Sequence, residues 1–290
     1  MSMLEKKGIN FKNNSLAEEY LRSLKAAQKS ENTIIKYRRI LERFLRDCQK
    51  NLNEMEPDEV LNWLTINFGE KKERTYNLVL SVLTSFSKFC IAEEHIARKL
   101  TKNRWRTRIP KSLPKYLNNY ELSCIRIEAE KFSIRDRALI ALLLSSGCRR
   151  AEAASLNVED MVIRERTAEV IGKGKKKRAI HFSDEVAVLL ESYLETHPKD
   201  EPALFLNKYG QRISTMGIYQ ITRKLGKKAR LPKSLSPHCC RHTFATTMLS
   251  KGAELEFIGE ALGHNDLNVA RIYARIPTEQ LTSMYRKFME

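Results

Sequence analysis

Long apolar runs are missing from this 290-residue chain. None approaches the ~20 residues that span a bilayer, and the opening residues MSMLEKKGINFKNN contain no apolar signal core. A membrane or secreted protein is therefore not expected. Cysteines are few, six in all, and no two form a Cys-x-x-Cys pair, which argues for free thiols in a reducing cytoplasm and against a zinc site. Acids are absent in one place above all: none occurs between Glu201 and Glu254, although the chain holds 35. A divalent cation needs carboxylates, so no metal centre is expected there, and neither a metal nor any other cofactor is expected in the protein. The segment Gly172-Lys173-Gly174-Lys175 lacks the Gly-x-x-x-x-Gly-Lys-Ser/Thr form of a nucleotide-binding loop. Internal repeats and low-complexity segments are missing too.

What is present in excess is positive charge. With 52 Lys and Arg the net charge is +17, which implies a polyanionic partner, and nucleic acid fits better than a membrane surface. Hydrophobic residues make up 42% and charged residues 30%, as in an ordered chain with room for two domains.

Residues 15 to 95 carry four amphipathic helical patterns with short connections, which predicts a small bundle. Ser15 with Glu18 has the form of a capping box for the first helix. Ile34, Ile35, Tyr37, Ile40, Leu41, Phe44 and Leu45 mark the buried face of the second, Pro57-Asp58-Glu59 opens the third, and Thr75 to Ile91, Leu78 included, forms the fourth. The segment 102–117 then holds Lys102, Arg104, Arg106, Arg108 and Lys111, two prolines and no acid. It is the natural boundary between a domain 1–101 and a domain 118–290, either as an exposed linker or as a basic strap on a phosphate backbone.

Helical patterns resume at Asn118, with an apolar helix from Ile134 to Ser146 that stops at Gly147. Residues 158 to 182 alternate and contain β-branched residues around a Gly-Lys-Gly turn, which predicts a strand-and-hairpin unit. Further helices are expected over Val186–Leu194, from near Gly217 to Gly226, and from Pro237 onward. The expected class is mainly α (α+β): a four-helix bundle plus a helical domain with a small antiparallel sheet.

Two clusters in the second domain suit an anion. His238 and Arg241 lie three apart near the start of a helix opened by Ser236-Pro237, so both face its positive end. Taken alone such residues are as readily solvated or capping groups. Arg149 follows the Gly147 helix end, and Glu152, three residues on, is placed to orient its guanidinium. Tyr273 lies among Val269, Ile272 and Ile276, a setting usual for a plain core tyrosine.

Together these pieces resemble the tyrosine recombinases, and their spacing is similar to that of the Xer subgroup of site-specific recombinases, archaeal-type members included. The resemblance rests on Arg149 in SGCRRAE, Lys173 in VIGKGKKKR, His238 and Arg241 in HCCRHTFAT, His264 in LGH, and Tyr273. It covers about residues 118 to 277, and the helical part before it resembles that family's DNA-arm domain. Arg275 stands where Xer sequences often have His, and Val269-Ala270 replaces a Thr pair. Lys173 matches the motif lysine, with Lys175 as the alternative.

The resemblance implies catalytic roles for Arg149, Lys173, His238, Arg241, His264 and the nucleophile Tyr273, with Glu152 in support. Lys102, Arg104, Arg106, Arg108, Lys111, Lys175, Lys176, Lys177, Arg178, Arg212, Arg223 and Lys227 are expected to contact DNA. The implied activity is metal-free strand exchange on a double-stranded recombination site, through a 3′-phosphotyrosyl link, in chromosome or plasmid dimer resolution. A mobile-element integrase, a relaxing topoisomerase-like enzyme and an idle DNA-binding regulator are the rivals. The tail pattern Leu281, Met284, Tyr285 and Phe288 implies a helix that docks on a neighbouring protomer, building a tetramer on two duplexes. A cytoplasmic, nucleoid-associated enzyme is expected, and an activating partner protein is left unspecified.

Overall fold

Apolar residues at helical spacing fold the first part of the chain into α1 (Phe11–Ala26), α2 (Glu31–Asp47), α3 (Pro57–Phe68) and α4 (Glu73–Ala92). In this computed structural model residues 10–110, 115–172 and 177–263 are described, and the chain divides into two compact units, Met1–Lys111 and Ser112–Glu290.

In the first unit Leu16, Tyr20, Leu41, Phe44, Val60, Trp63, Val79 and Phe86 are buried in one core. Ile35 and Leu78 are instead exposed, because successive helical residues diverge by about 100° and their neighbours already fill the inward stripe. Helix α1 also begins a turn before the Ser15 motif. Asn10 is its N-cap, accepting from the Lys12 and Asn13 N–H groups, while Glu18 pairs with Arg38. The buried Asn13 holds that extra turn in place, donating to the Lys50 carbonyl at 2.9 Å and accepting from the Leu52 N–H at 3.2 Å.

Helix α4 is long and apolar enough to cross a membrane by composition, yet half of that window is buried in the protein, as befits a core helix. Asn77 on α4 donates to the Thr107 carbonyl at 2.7 Å and accepts from its N–H at 3.0 Å, and Trp105 packs on the same core. The basic segment therefore lies against the first unit as far as Thr107.

The second unit is built on α6 (Ile134–Ser146), whose buried Ala138, Leu139, Leu142 and Leu143 pack against α8 (Asp184–Glu195) and α10 (Pro237–Ser250). Around them lie α5 (Asn119–Ala129), α7 (Arg150–Ser155), α9 (Thr215–Lys228) and α11 (Leu255–Leu262). Strands β1 (Met161–Val162), β2 (Thr167–Ile171) and β3 (Lys177–His181) form an antiparallel sheet in that order. Ala168 opposes Ile180 and Val170 opposes Arg178, so these four residues share one face, and the first three of them are buried in the core. Thus the protein is mainly helical with one small antiparallel sheet.

Candidate active site

The turn between α6 and α7 places the first cationic group. Gly147 ends α6 with φ 60°, a left-handed conformation suited to glycine. A Cβ there would meet Phe244 Cδ1 at 2.5 Å and Leu262 Cδ2 at 2.9 Å, so the turn packs directly on α10 and α11. Arg149 is then the N-cap of α7, and Glu152 in the first turn of that helix accepts from the Arg149 N–H at 2.7 Å.

Glu152 is 1% exposed, and a carboxylate so deeply buried needs cationic donors. It has two. Arg149 Nη1 donates to Oε1 at 2.7 Å, and Arg178 Nη2 donates to Oε2 at 2.8 Å. Arg178 comes from β3, and the shared inward face with Val170 explains why it points here.

Arg241, on the second turn of α10, completes the cationic group. Its Nη1 donates to the Gly147 carbonyl at 2.8 Å and its Nη2 to the Leu262 carbonyl at 2.6 Å. The three arginines in fact divide the end of α11 among them. Arg178 Nη1 bonds the Ala261 carbonyl at 2.7 Å, Arg241 takes Leu262, and Arg149 Nη2 bonds the Gly263 carbonyl at 3.1 Å. These carbonyls lack helical partners and form the negative pole of the helix, so cations belong there. Among the described residues the carboxylate that meets these guanidinium groups is that of Glu152, paired with Arg149 and Arg178, so three cationic groups and one anionic group make a cationic corner.

His238 faces this corner from the first turn of α10, where Pro237 occupies N1 and Ser236 accepts from the Cys239 N–H at 3.2 Å. Its ring keeps an exposed edge, but partial desolvation first, then Arg241 and Arg149, hold its pKa below the ordinary 6.5. The imidazole is therefore a neutral base at neutral pH. One turn on, His242 places Nε2 at 2.9 Å from His238 Nε2, so the two rings share one proton between facing nitrogens.

A thiol nucleophile does not fit. Burial pushes the Cys148 thiol up to about 11 and raises that of Cys240 as well, so neither forms a thiolate at neutral pH. Among the described residues no group of three His, Cys, Asp or Glu is placed to hold a metal.

The structure thus brings together Arg149, Glu152, His238 and Arg241. Lys111, Lys173, Lys175, Lys176, His264 and Tyr273, together with the tail residues, lie outside the described residues. Two residues expected on DNA are engaged otherwise. Arg178 is turned inward, as above, because strand alternation puts it on the core face of β3. Arg212 braces the loop after α7, donating to the Ala154, Leu156 and Asn157 oxygens at 3.2, 2.9 and 2.6 Å. Carbonyls left over at the end of α7 take up its guanidinium, leaving little of it for a phosphate. Lys177 pairs with Glu169 at 2.6 Å, Arg106 donates to Ser81 at 3.1 Å, and Lys102 lies 3.8 Å from Asp58. Arg104, Arg108, Arg223 and Lys227 are exposed. The inward role of Arg178 and the link from His242 to His238 were missed in the sequence, although the period of two in β3 and the i,i+4 spacing in α10 signal them.

The chain is also similar to known proteins. Residues 115–280 match the model of the phage integrase family, and residues 17–94 match that of the phage integrase N-terminal SAM-like domain. The chain is 32% identical over 293 residues to the tyrosine recombinase XerD of Staphylococcus epidermidis, covering 95% of this chain and 98% of that one. It is also 32% identical over 292 residues to the tyrosine recombinase XerC of Leptospira interrogans, covering 94% and 93%. A XerH site-specific recombinase bound to palindromic difH substrate, in a post-cleavage complex, shares the fold with a TM-score of 0.76 at 21% identity, over 98% of this chain and 99% of that one.

Proposed function

From the premise that the chain belongs to the phage integrase family of tyrosine recombinases, we propose that it acts on double-stranded DNA recombination sites as an Xer-type enzyme. It cuts and rejoins strands through a 3′-phosphotyrosyl link at Tyr273. The observation that carries this reading is the cationic corner made by Arg149, Arg178 and Arg241 beside the neutral base His238.

A free tyrosine has a pKa near ~10, so only about one in a thousand is phenolate at neutral pH. His238, held neutral, accepts the phenol proton as Tyr273 Oη attacks phosphorus. Charge then accumulates on the equatorial phosphorane oxygens. Arg149, a third exposed at its side chain, offers them its unused N–H groups. Arg241 is 3% exposed, so its charge reaches them with little screening. His264 is the third donor, and Lys173, between β2 and β3 in the sequence, protonates the departing 5′ oxygen. The P–O bond to the 5′ oxygen breaks as the P–O bond to Tyr273 forms. The bond energy is conserved for a second strand's hydroxyl, which reverses the step.

Assembly follows from the tail. Leu281, Met284, Tyr285 and Phe288 recur at helical spacing, and a neighbouring copy offers a groove of about 620 Å³ in which Leu144, Phe244 and Met248 lie among charged side chains such as Arg126, Glu130 and Arg137. Seating one copy's tail in the next links four protomers on two duplexes. Chromosome or plasmid dimer resolution beside the nucleoid is the corresponding task.

A nicked recombination-site duplex, incubated without added metal, is expected to give a covalent protein–DNA adduct on denaturing gels. The adduct should vanish in Tyr273→Phe, and one that persists sinks the nucleophile assignment. Recombination of two plasmid sites, as opposed to relaxation alone, separates strand exchange from a topoisomerase-like activity.

A further inference from the structure

Arg178 belongs to a run of cations, Lys175-Lys176-Lys177-Arg178, that reads as a DNA-contacting stretch, yet its environment is that of an interior residue. Its side chain is 15% exposed, and its Nε is buried and meets no acceptor among the described residues. A buried donor cannot reach a phosphate in solvent. Meanwhile its two Nη groups join parts of the chain that are remote in sequence. One holds Glu152, which in turn orients Arg149, and the other holds the Ala261 carbonyl at the end of α11.

Two further details argue that this link is built in. If burial alone were wanted at this position, an apolar side chain would serve better, since desolvating a guanidinium is costly without paired charge. And Gly263 makes room for it: a Cβ there would lie 2.7 Å from both Arg178 Cδ and Nε. The glycine that ends α11 just before His264 is thus shaped to the arginine that stands one position in from Lys177, which pairs with Ile171 at the end of the β2–β3 ladder.

We propose that Arg178 is a positioning residue of this site. It fixes the β2–β3 pair against Glu152 and the Ala261–Gly263 turn, so that the chain leading to Lys173 and to His264 starts from one braced corner and Arg149 keeps its orientation. The proposal rests on the strand-exchange reading above and adds a seventh group to it, one that touches neither DNA nor the nucleophile.

Arg178→Lys is the deciding variant. An ammonium keeps the charge and can hold Glu152 or the Ala261 carbonyl, but it cannot fork to both. At saturating nicked duplex, adduct formation should slow by about 10- to 100-fold, in line with the cost of a misplacement of ~1 Å. The DNA Kd and the salt dependence of binding should stay at wild-type values. A thermal midpoint equal to wild type in that variant separates positioning from loss of fold. If Arg178→Lys cleaves at the wild-type rate, the proposal fails. It also fails if Arg178→Met lowers the slope of log K against log salt by about one, as loss of a phosphate contact does. Amide exchange without DNA reads the inference apart from activity. Arg178→Met should speed exchange at residues 149–152 and 261–263 and leave the first unit unchanged, and no change there overturns the proposal. Absence of any adduct with the wild-type protein would count against the strand-exchange reading alone, and the exchange result would still decide this one.

Discussion

Replacing Glu152 by Gln removes the negative charge on which, among the described residues, two of the three site arginines converge. The carboxylate accepts three bonds: the Arg149 N–H and Arg178 Nη2 at Oε2, and Arg149 Nη1 at Oε1. A glutamine can keep one oxygen, and keeping it at the Oε2 position satisfies two of those donors. Its NH₂ then faces Arg149 Nη1, donor against donor. The cost has two parts: a lost charge-assisted bond of about 1.5–3 kcal/mol, and two guanidinium groups left partly uncompensated in a buried corner. Breaking a buried pair costs about 3–5 kcal/mol, and with two bonds retained the lower end, about 3 kcal/mol, is expected. For a unit of this size each kcal/mol moves the midpoint by about 2–4 °C, so a drop of about 6–12 °C is expected by calorimetry. An internal control exists, because the chain's two tryptophans, Trp63 and Trp105, both lie in the first unit, and the midpoint followed by their fluorescence is expected to hold. Catalysis should suffer more than binding: Arg149 loses the acceptor that fixes its fork, and adduct formation at saturating DNA should fall about 10²-fold. An unchanged calorimetric midpoint, or wild-type cleavage, would refute the view that Glu152 holds this corner together.

Two other expectations follow from charge. Because the pKa of His238 is depressed, its base form prevails at neutral pH, so the adduct-forming rate should be flat near neutrality. It should fall as pH drops through that lowered value, and this acid limb should disappear in His238→Gln; rates measured from pH 5 to 8 check this, and a limb that survives the substitution removes His238 as the base. Binding of the wild-type protein should weaken steeply with salt, by about 10³ to 10⁵ between 50 and 200 mM for 6 to 10 phosphate contacts. Arg223→Ala should reduce the salt slope by about one, whereas Arg212→Ala, which unties the Ala154–Asn157 loop, should lower the melting point and leave the slope alone.

How much of this was legible in the sequence depended on whether local chemistry or tertiary contact made the choice. Gly147, Ser236-Pro237 and Asn118 each announce a helix end by their own side-chain or backbone properties, and the helices obey them. The Ser15–Glu18 pair announces one equally well, yet α1 begins at Phe11, because Asn10 caps it and Asn13 ties the extra turn to residues 50–52. A local motif cannot weigh those distant bonds. The same limit explains Arg178 and Arg212: a run of cations reads as one solvent-facing surface, and only the sheet register and the stray carbonyls after α7 reveal which members turn inward. Arg149 and Arg241 lie far apart in the chain, and nothing local tells that both end on the last carbonyls of α11. The end of that helix thus serves as a shared anchor. Its negative pole collects the guanidinium groups in the protein alone, and on the function proposed above an incoming phosphodiester would complete a charge arrangement that the backbone has already set.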